Sequence, residues 1–491
     1  MKLHIYNTLT RQKEEFIPLM EDPSYKGPKK DFIWLYSCWP TVYGMPHFWN
    51  VRAAFTADLI RNTIQNIVWY KTISVMNLTD VWHLVGDSDD GEEKMELTAK
   101  KEWLTAWDVA KKYEKIYLDF FSGLNIEKFT IMPRATEHIQ EQIDLVKSLE
   151  EKWYTYIIEW DGVYMDTSKV ADYGKLMWPN YKKHLEWIRW WERVDMSWKK
   201  NPTDFALWKF HVGEGKRDME RESPRGIGFP WWHAECSAMS SKYLGEQFDI
   251  HHGWYDLVSV HHTNEIAQSE CSSWVTPWVK YRMHNQFVLM NGKKMSKSDG
   301  NIVSPYEVID KWYSYLDMRY FFFAVHYRTF FDFTWESIEQ TKNARQNLIK
   351  KVRDNVSMAQ LFIKEKSFVD IEKKLNTDEG KKFWKEISEA ISDDINTPKL
   401  IAVINTHLPI SNEEVGSMIY RLEQIFLKIW LFTTLVEEKF EIPAEVTALA
   451  DQRLQAKEDK NYALADELRN KITALGFQMK DTKEGYEITK N

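Results

Sequence analysis

Two lysines and two serines alternate in residues 294–298, directly after an apolar segment (287–290) and an Asn-Gly turn. Asparagine followed by glycine is typical of a tight turn, so the lysines stand on a loop that leaves a strand. Ammonium groups and hydroxyls suit the β- and γ-phosphates of a nucleotide, where negative charge accumulates as pyrophosphate leaves. A solvated lysine turn is the alternative that two lysines and a serine alone would favour. The full Lys-Met-Ser-Lys-Ser run favours a nucleotide site with Lys294 and Lys297 as its cations.

Four other residues carry side chains that a zinc ion accepts, namely Cys38, Cys236, His261 and Glu265. His261 and Glu265 are four residues apart, so both would lie on one face of a helix. Two thiolates, an imidazole and a carboxylate form a complete ligand set for Zn²⁺. Cysteines this distant in sequence are more often buried small hydrophobic residues, and spacing alone leaves that alternative open. The neighbouring His262 is more often a core group than a ligand.

A third group of polar side chains follows the first predicted strand. His47 and Asn50 stand at the start of a helical pattern. The amino terminus of a helix carries unpaired N–H groups and partial positive charge, so these two side chains would help it to bind phosphates. A single histidine in such a turn is otherwise unremarkable.

Composition limits the classes of protein that fit the chain. Its 491 residues suffice for roughly three domains with a large core. The net charge of −8 provides no global field for nucleic acid, so any RNA contact would use local basic patches. Three cysteines exclude a disulfide framework and predict a reducing, cytoplasmic setting. We find neither a signal-peptide pattern nor an apolar run long enough for a membrane span.

Alternating strand and helix patterns predict an α/β fold. Residues 31–122 read as strand 32–37, helix 52–67, strand 71–78 and helix 100–121, which indicates a parallel sheet with ligands at the carboxyl ends of its strands. Residues 123–222 change character and look like an inserted α+β subdomain. The sheet pattern resumes over 223–335, and an almost purely helical stretch (336–440) precedes a small C-terminal region (441–491). That region contains a charged helical pattern over 447–475.

Tryptophan and glycine occur in unusual proportions. The chain has 24 Trp and 19 Gly, whereas average usage of about 7% would give roughly 34 glycines. Trp69, Trp153 and Trp312 directly follow helical patterns. This position often needs a positive φ, for which glycine is the usual residue and tryptophan would be strained.

Several motifs occur together in one order. They are Cys-x-Pro-Thr-Val-Tyr with His-x-x-Asn-x-Arg, Asn-Leu-Thr-Asp (77–80), Phe-Pro-x-Trp-His-x-Glu-Cys-Ser (229–237), His-His-x-Asn-Glu-Ile-Ala-Gln-Ser (261–269), Lys-Met-Ser-Lys-Ser and a tail motif at 461–469. The lysine–serine run is the second signature of the class I aminoacyl-tRNA synthetases. The whole layout resembles that of cysteinyl-tRNA synthetases, and the resemblance covers essentially the whole chain.

The resemblance implies a role for each candidate residue. Cys38, Cys236, His261 and Glu265 match the family's zinc ligands, and the zinc accepts the thiolate of the substrate. A soft, readily ionised sulfur binds Zn²⁺ far better than an alcohol does, so cysteine is selected over serine without editing. The remaining matches are Trp232 and Thr79 in the amino-acid pocket, His47 and Asn50 in the first class I signature, and Lys297 with Lys294 at the phosphates.

The reaction implied by the resemblance is activation of L-cysteine by ATP, with Mg²⁺, to cysteinyl-adenylate and then transfer to the terminal ribose of tRNA(Cys). Catalysis would consist of positioning and charge stabilisation without a protein nucleophile. Residues 1–122 and 223–335 would form a Rossmann-type catalytic domain, 123–222 a connective insertion, and 336–440 and 441–491 the regions that recognise the anticodon stem and the anticodon. The family further implies a cytoplasmic monomer.

The chain departs from the family at many tryptophans. Glycine is expected instead at positions 39, 49, 69, 82, 103, 153, 231, 254, 274 and 312, and less securely at 34, 187, 191 and 430. Conversely, tryptophan is expected at Arg282, and also at Arg221 and Arg225. We hypothesise that the gene uses UGA for glycine and some CGN codons for tryptophan. The alternative is that the residues are real and the chain is an inactive relative.

Two other functions remain open from sequence alone. A related ligase would join activated cysteine to an amino-sugar, but the helical stretch 336–491 argues against it. A non-enzymatic RNA-binding or regulatory protein with a blocked ATP site is the second alternative.

Overall fold

The computed structural model describes residues 2–39, 41–80, 94–177, 198–211, 220–295, 302–355, 368–408, 412–429, 443–459, 461–475, 477–482 and 485–490. The chain divides into two compact units, Met1–Phe432 and Thr433–Asn491. Within the described ranges, each helix is too short or too polar to cross a lipid bilayer.

The strands follow the chain in this order: β1 (His4–Asn7), β2 (Gln12–Glu15), β3 (Ile33–Ser37), β4 (Thr72–Met76), β5 (Thr155–Ile158), β6 (Gly162–Met165), β7 (Phe205–Phe210), β8 (Arg221–Ser223), β9 (Gly226–Pro230), β10 (Phe248–Trp254), β11 (Val279–Asn285), β12 (Val288–Met290), β13 (Lys293–Lys294), β14 (Phe331–Phe333), β15 (Phe477–Thr482) and β16 (Gly485–Lys490).

The α-helices are α1 (Phe48–Asn62), α2 (Lys94–Glu102), α3 (Ala106–Gly123), α4 (Ile139–Glu151), α5 (Trp232–Leu244), α6 (His261–Ser273), α7 (Pro305–Asp310), α8 (Tyr315–Phe323), α9 (Trp335–Asn355), α10 (Phe368–Lys374), α11 (Asp378–Ser392), α12 (Thr397–Thr406), α13 (Glu413–Leu422), α14 (Ala444–Glu458) and α15 (Tyr462–Ala474).

A four-stranded parallel sheet forms the centre of the first unit, in the order β11-β10-β3-β4. Its strands are rich in apolar residues that are fully buried, as expected for a parallel sheet covered on both faces. Because all four strands run the same way, their carboxyl ends meet at one edge, where α/β folds bind ligands. The predicted Rossmann-type architecture is confirmed.

Helix α1 begins four residues earlier than the predicted start at 52. His47 is its N-cap, and the Asn50 side chain accepts a hydrogen bond of 2.9 Å from the His47 backbone N–H. This reciprocal cap satisfies donors that a helix start leaves unpaired, so the helix extends back to the turn that follows β3.

Two segments, each of which has the sequence pattern of a single helix, contain two helices each. The predicted helix 100–121 consists of α2 and α3, separated where Trp103 takes φ 59° and Thr105 caps α3 through the Asp108 N–H. The predicted helix 447–475 consists of α14 and α15, and Asn461 caps the second of them. In both cases a local cap overrides the continuous helical periodicity.

A second sheet lies in the inserted region. It is antiparallel, with the order β5-β6-β7-β9-β8. Its strand β9 lies beyond residue 222, the predicted end of the insertion. Residues of α4, β6, β7, α5 and α6 share one hydrophobic core, so the insertion is packed onto the two helices that follow it.

A small sheet of order β13-β12-β14 leads into the lysine–serine segment. Strand β12 pairs with β14 in parallel and with β13 in an antiparallel hairpin. Helices α9 to α13 follow in the predicted helical region. The second unit contains α14, α15 and the β15–β16 hairpin around its own core of Val446, Ala450, Ile472, Phe477 and Met479.

Candidate active site

The structure brings Cys38, Cys236, His261 and Glu265 together at the carboxyl edge of the parallel sheet. Their four donor atoms all lie within 4.8 Å of one another, and all four residues are buried. The sulfur of Cys38 lies 3.6 Å from that of Cys236, 3.5 Å from His261 Nε2 and 3.4 Å from Glu265 Oε1. Residues that are distant in sequence therefore present two sulfurs, one nitrogen and one oxygen to a common point.

Each donor is positioned by a regular element. Cys38 directly follows β3, and its N–H donates to the carbonyl of His252 in β10, which continues the sheet. Cys236 lies in the second turn of α5. His261 and Glu265 lie one turn apart in α6, with 3.0 Å between His261 Nε2 and Glu265 Oε1. The predicted helical spacing of these two ligands is what places them on one face.

The clustered side chains shift one another's pKa values. Burial alone would raise the pKa of Cys236, but hydrogen bonds with Cys38 and His261 lower it to about 7. Burial would lower the pKa of His261, but the adjacent Glu265 carboxylate and Cys236 raise it to about 10. The pKa of Cys38 lies well above its usual value because of burial and its hydrogen bond to Cys236.

Such a donor set fits Zn²⁺, which binds thiolate, imidazole and carboxylate in tetrahedral sites. A second set, Cys38, His251, His262 and Glu265, has donor atoms equally close together. This second set contains one sulfur and two imidazoles, whereas the first contains two sulfurs. The set with two sulfurs is the better match for a soft metal ion.

The predicted pocket residues lie beside the cluster. The Trp232 ring stacks on the His261 imidazole, with 4.2 Å between ring centroids and an interplanar angle of 14°. Thr79 is buried at the end of β4, where its hydroxyl accepts a 2.9 Å hydrogen bond from the Asn77 amide. Burial, the nearby Cys236 charge and Asp80 raise the pKa of Glu235 well above its usual value, although a Thr79 hydrogen bond opposes them.

Three of the four predicted nucleotide-binding residues lie in the part of the chain that the structure describes. His47 and Asn50 stand at the amino terminus of α1, and Asn50 is 4% exposed. Lys294 is in β13, at the end of the hairpin. Lys297 lies outside the described residues, so its predicted role stays a prediction.

Several residues of the site escaped the sequence analysis. His251 Nε2 lies 3.0 Å from Glu265 Oε2, and His233 Nδ1 lies 2.9 Å from His261 Nδ1. His251 is opposite Tyr36 in the sheet register, so strand pairing was the signal that could have placed it near Cys38. Arg52, the last residue of the His-x-x-Asn-x-Arg motif, had no predicted role; it is buried in α1 and donates to five backbone carbonyls.

Comparison with known proteins defines the class. The sequence profile of the tRNA synthetases class I (C) catalytic domain matches residues 26–343, well over half of the chain. The fold agrees, since methionyl-tRNA synthetase of Mycobacterium tuberculosis in complex with methionyl-adenylate is similar with a TM-score of 0.53. That likeness covers 83% of this chain and 92% of the other at 13% identity. The chain is a class I aminoacyl-tRNA synthetase.

Similar sequences narrow the family further. A cysteine–tRNA ligase of Treponema denticola is 36% identical over 98% of this chain and 98% of its own length. A cysteine–tRNA ligase of Thermococcus gammatolerans is 38% identical over 99% of this chain and 98% of its own length. Within its class, the chain belongs to the cysteine–tRNA ligase family.

Proposed function

We propose that the protein activates L-cysteine with ATP and Mg²⁺ and transfers the cysteinyl group to the 3′-terminal ribose of tRNA(Cys). The observation that carries this proposal is the convergence of Cys38, Cys236, His261 and Glu265 within 4.8 Å at the carboxyl edge of the parallel sheet. A soft metal ion at this edge would bind a thiol in preference to a hydroxyl, and this is the chemical difference between cysteine and serine.

Cys38, Cys236, His261 and Glu265 would hold one Zn²⁺ per chain. When bound, zinc supplies affinity for the thiolate of the substrate. The chain supplies the shape around it, because Trp232 lies flat on His261 and walls one side of the site. Thr79, at the end of β4, is the proposed contact for the rest of the amino acid. The ligands are held by β3, α5 and α6, which are rigid elements rather than loops.

The amino terminus of α1 would bind the nucleotide. His47 and Asn50 lie at the amino terminus of the helix, where the helix dipole provides partial positive charge, which suits phosphates. Lys294 and Lys297 would neutralise the charge that develops as pyrophosphate leaves. No protein nucleophile is needed, because the cysteine carboxylate itself attacks the α-phosphate of ATP.

Cysteine-dependent exchange of labelled pyrophosphate into ATP tests this function, measured on the chain with glycine at the tryptophan positions named above and on the chain that retains tryptophan there. We expect exchange only in the chain with glycine, with at least a hundredfold less for serine than for cysteine, since only the thiol gains from the metal. Charging of tRNA(Cys), compared with transfer to a small amino-sugar, separates the proposed ligase from the amino-sugar alternative. Exchange without charging of tRNA would contradict the second half-reaction, and absence of exchange would favour the non-enzymatic alternative.

We further infer that the gene specifies glycine at many of the tryptophan positions. Five tryptophans have φ in the left-handed region, namely Trp69 (67°), Trp103 (59°), Trp153 (64°), Trp274 (62°) and Trp312 (67°). Each lies at a helix end. At four of these sites the residue after the tryptophan donates its N–H to a carbonyl five or six residues before it, namely Tyr70 to Ile64, Leu104 to Ala99, Tyr154 to Leu149 and Tyr313 to Val308. Glycine is the usual occupant of this position.

Burial gives no reason for an indole at these five positions. The side chains are 50–94% exposed, with Trp103 at 94% and Trp312 at 90%. A left-handed residue with a Cβ costs roughly 1–2 kcal/mol, so five of them would consume a large share of the roughly 5–15 kcal/mol that stabilises a folded protein. Glycine would remove that strain without loss of packing.

Arg282 supports the complementary half of the inference, that some arginine positions are tryptophan. It is 1% exposed in β11, and burial lowers the pKa of its guanidinium. Nη1 and Nη2 find no hydrogen-bond partner among the described residues, although Nη1 lies 3.5 Å from Glu265 Oε2. Burial of an unsatisfied charged group is strongly unfavourable, whereas an indole would fill the same space.

Trp49 connects this inference to activity. It follows His47 and Phe48 in the nucleotide-binding turn, with 6.1 Å between the His47 and Trp49 ring centroids. An indole at this point would compete with ATP for space. The codons at 39, 49, 231 and 254, together with the peptide masses of the protein from its own cells, test the inference. Four UGG codons and tryptophan masses would reject it, and the chain would then be expected to be inactive.

The proposed setting is a monomer in the cytoplasm. Its support is the family and the number of cysteines, since three in a chain of 491 residues are too few for a disulfide framework. Light scattering of the purified full chain measures the oligomeric state directly, and a mass of twice the chain would contradict this part of the proposal.

A further inference from the structure

Arg52 lies two residues after Asn50 in α1 and is 1% exposed. Its Nη1 donates to the carbonyls of Gln286 and Phe287, at 3.0 and 2.9 Å. Its Nη2 donates to the carbonyls of His326, Tyr327 and Thr329, at 3.0, 3.2 and 2.8 Å. One guanidinium therefore holds three separate parts of the chain together.

The five carbonyls belong to the segments that enter the small sheet. Residues 286–287 directly precede β12, and residues 326–329 directly precede β14, the parallel partner of β12. Strand β12 turns into β13, which contains Lys294. The guanidinium thus fixes the base of the hairpin that carries the lysine segment relative to the helix that carries His47 and Asn50.

The chemistry of the contact needs arginine. A guanidinium offers several N–H donors in a rigid planar fork, whereas a lysine ammonium is a compact group with three donors. Burial lowers the pKa of Arg52 to about 9, which leaves it charged at neutral pH. Its side chain also lies over the Phe331 ring in β14, 5.0 Å from the ring centroid, so its orientation is set by packing as well.

We infer that Arg52 is a positioning residue for ATP: it fixes the distance between the phosphate-binding end of α1 and the lysine hairpin. The inference rests on the proposed function, in which both segments bind the same triphosphate. A displacement of about 1 Å between groups that act on one substrate reduces rates by about a hundredfold. Loss of the fork should therefore weaken ATP use specifically, while the metal cluster, which has no contact with Arg52, keeps its ion and its affinity for cysteine.

Arg52→Lys tests the inference in the full-length chain with glycine at the tryptophan positions named above, and Arg61→Lys is the matched control. Arg61 lies in the same helix and is also buried, with 2% of its surface exposed. Its guanidinium, however, binds Asp58 and the carbonyls of Glu127 and Lys128. Each variant is assayed well below its own melting temperature. The measurements are the dissociation constant for ATP by calorimetry, the KM values for ATP and cysteine in pyrophosphate exchange, and zinc content.

We expect Arg52→Lys to weaken ATP binding and raise the KM for ATP by about tenfold or more, with zinc content and the KM for cysteine within twofold of the unsubstituted chain. Arg61→Lys should leave all of these within twofold. Equal effects of the two variants, or a parallel loss of zinc and cysteine affinity in Arg52→Lys, would overturn the inference. Because ATP binding is measured without exchange, absence of exchange in the unsubstituted chain would reject the proposed function and still allow this comparison.

Phe331→Leu carries the test if Arg52→Lys does not fold. It removes the ring beneath the guanidinium and leaves every hydrogen-bonding group of Arg52 in place. A smaller rise in the dissociation constant for ATP, by twofold or more with zinc unchanged, supports the inference. Unchanged ATP binding in a folded Phe331→Leu chain overturns it.

Discussion

The four clustered donors differ in chemical softness, and the two sulfurs are the donors that favour a soft metal ion most strongly. Cys236→Ser replaces a thiolate of low pKa by a hydroxyl that does not ionise at neutral pH. We expect the variant to be purified with far less than one zinc per chain and to lose cysteine-dependent exchange. Metal analysis and exchange assays on the same sample measure both effects.

Cys271→Ser is the control for this substitution. Cys271 is the third cysteine, lies in α6 with the sulfur outside both clusters of donor atoms, and packs in the core of the insertion. Burial raises the pKa of its thiol to about 11. Retention of zinc by Cys236→Ser, or equal loss in both variants, would contradict the proposed ligand set.

Arg282→Trp is expected to stabilise the protein. Removal of a buried guanidinium with unpaired nitrogens should raise the free energy of unfolding by about 1–3 kcal/mol. Arg319→Trp is the contrasting variant, because Arg319 is equally buried but donates to Asp58 and to the carbonyls of Leu124, Phe426 and Leu427. Denaturant unfolding should show a gain for the first and a loss for the second, and a loss for both would count against tryptophan at position 282.

The metal donors could be predicted from the sequence because they are chemically rare and occur in long motifs. The roles of Arg52 and His251 could not be predicted, for different physical reasons. Arg52 stands in a recognised motif, but its partners are backbone carbonyls, which every residue carries. His251 comes within 3.9 Å of the Cys38 sulfur through the pairing of β10 with β3, and the register between distant strands is a property of the folded sheet.

At the scale of elements, five tryptophans lie at helix ends where the backbone takes a positive φ. Trp153 follows α4, and the next residue donates its N–H to the carbonyl of Leu149, which closes the helix in the arrangement that favours a left-handed residue. Trp153→Gly should therefore raise the free energy of unfolding by about 1 kcal/mol, although glycine usually destabilises. The midpoint of denaturant unfolding measures the change.

Trp278→Gly shows what the same substitution does where tryptophan belongs. Trp278 is 1% exposed and packs against Phe248. Its removal leaves a large cavity and should cost about 3–5 kcal/mol. Opposite signs at positions 153 and 278 would confirm the distinction between the two kinds of tryptophan, and a loss at both would refute it.

Element boundaries illustrate where periodicity fails as a guide. The patterns correctly predicted β3 and β4 of the parallel sheet, because buried parallel strands are short apolar runs. They merged α2 with α3 and α14 with α15, because a helix break depends on caps such as Thr105 and Asn461 rather than on the apolar spacing.

At the scale of the whole molecule, the second unit has its own hydrophobic core and a β-hairpin, so it should fold separately from the catalytic unit. We expect a chain without residues 443–491 to keep cysteine-dependent pyrophosphate exchange within about twofold, because the site lies entirely in the first unit. Charging of tRNA(Cys) should fall by at least tenfold if the tail recognises the anticodon. Equal loss of both activities would contradict this division of roles.

Cys38 and Cys236 are 198 residues apart in the chain. A metal ion bound by both residues would cross-link the chain and close a loop that contains the whole insertion. In the unfolded chain, closure of a loop of this length is worth roughly 5 kcal/mol by the same entropy that governs a disulfide. Metal depletion of the cell would thus remove more than the recognition of a thiol. The free energy of unfolding of the metal-free enzyme would be lower, so it would unfold more often and be degraded faster by proteases.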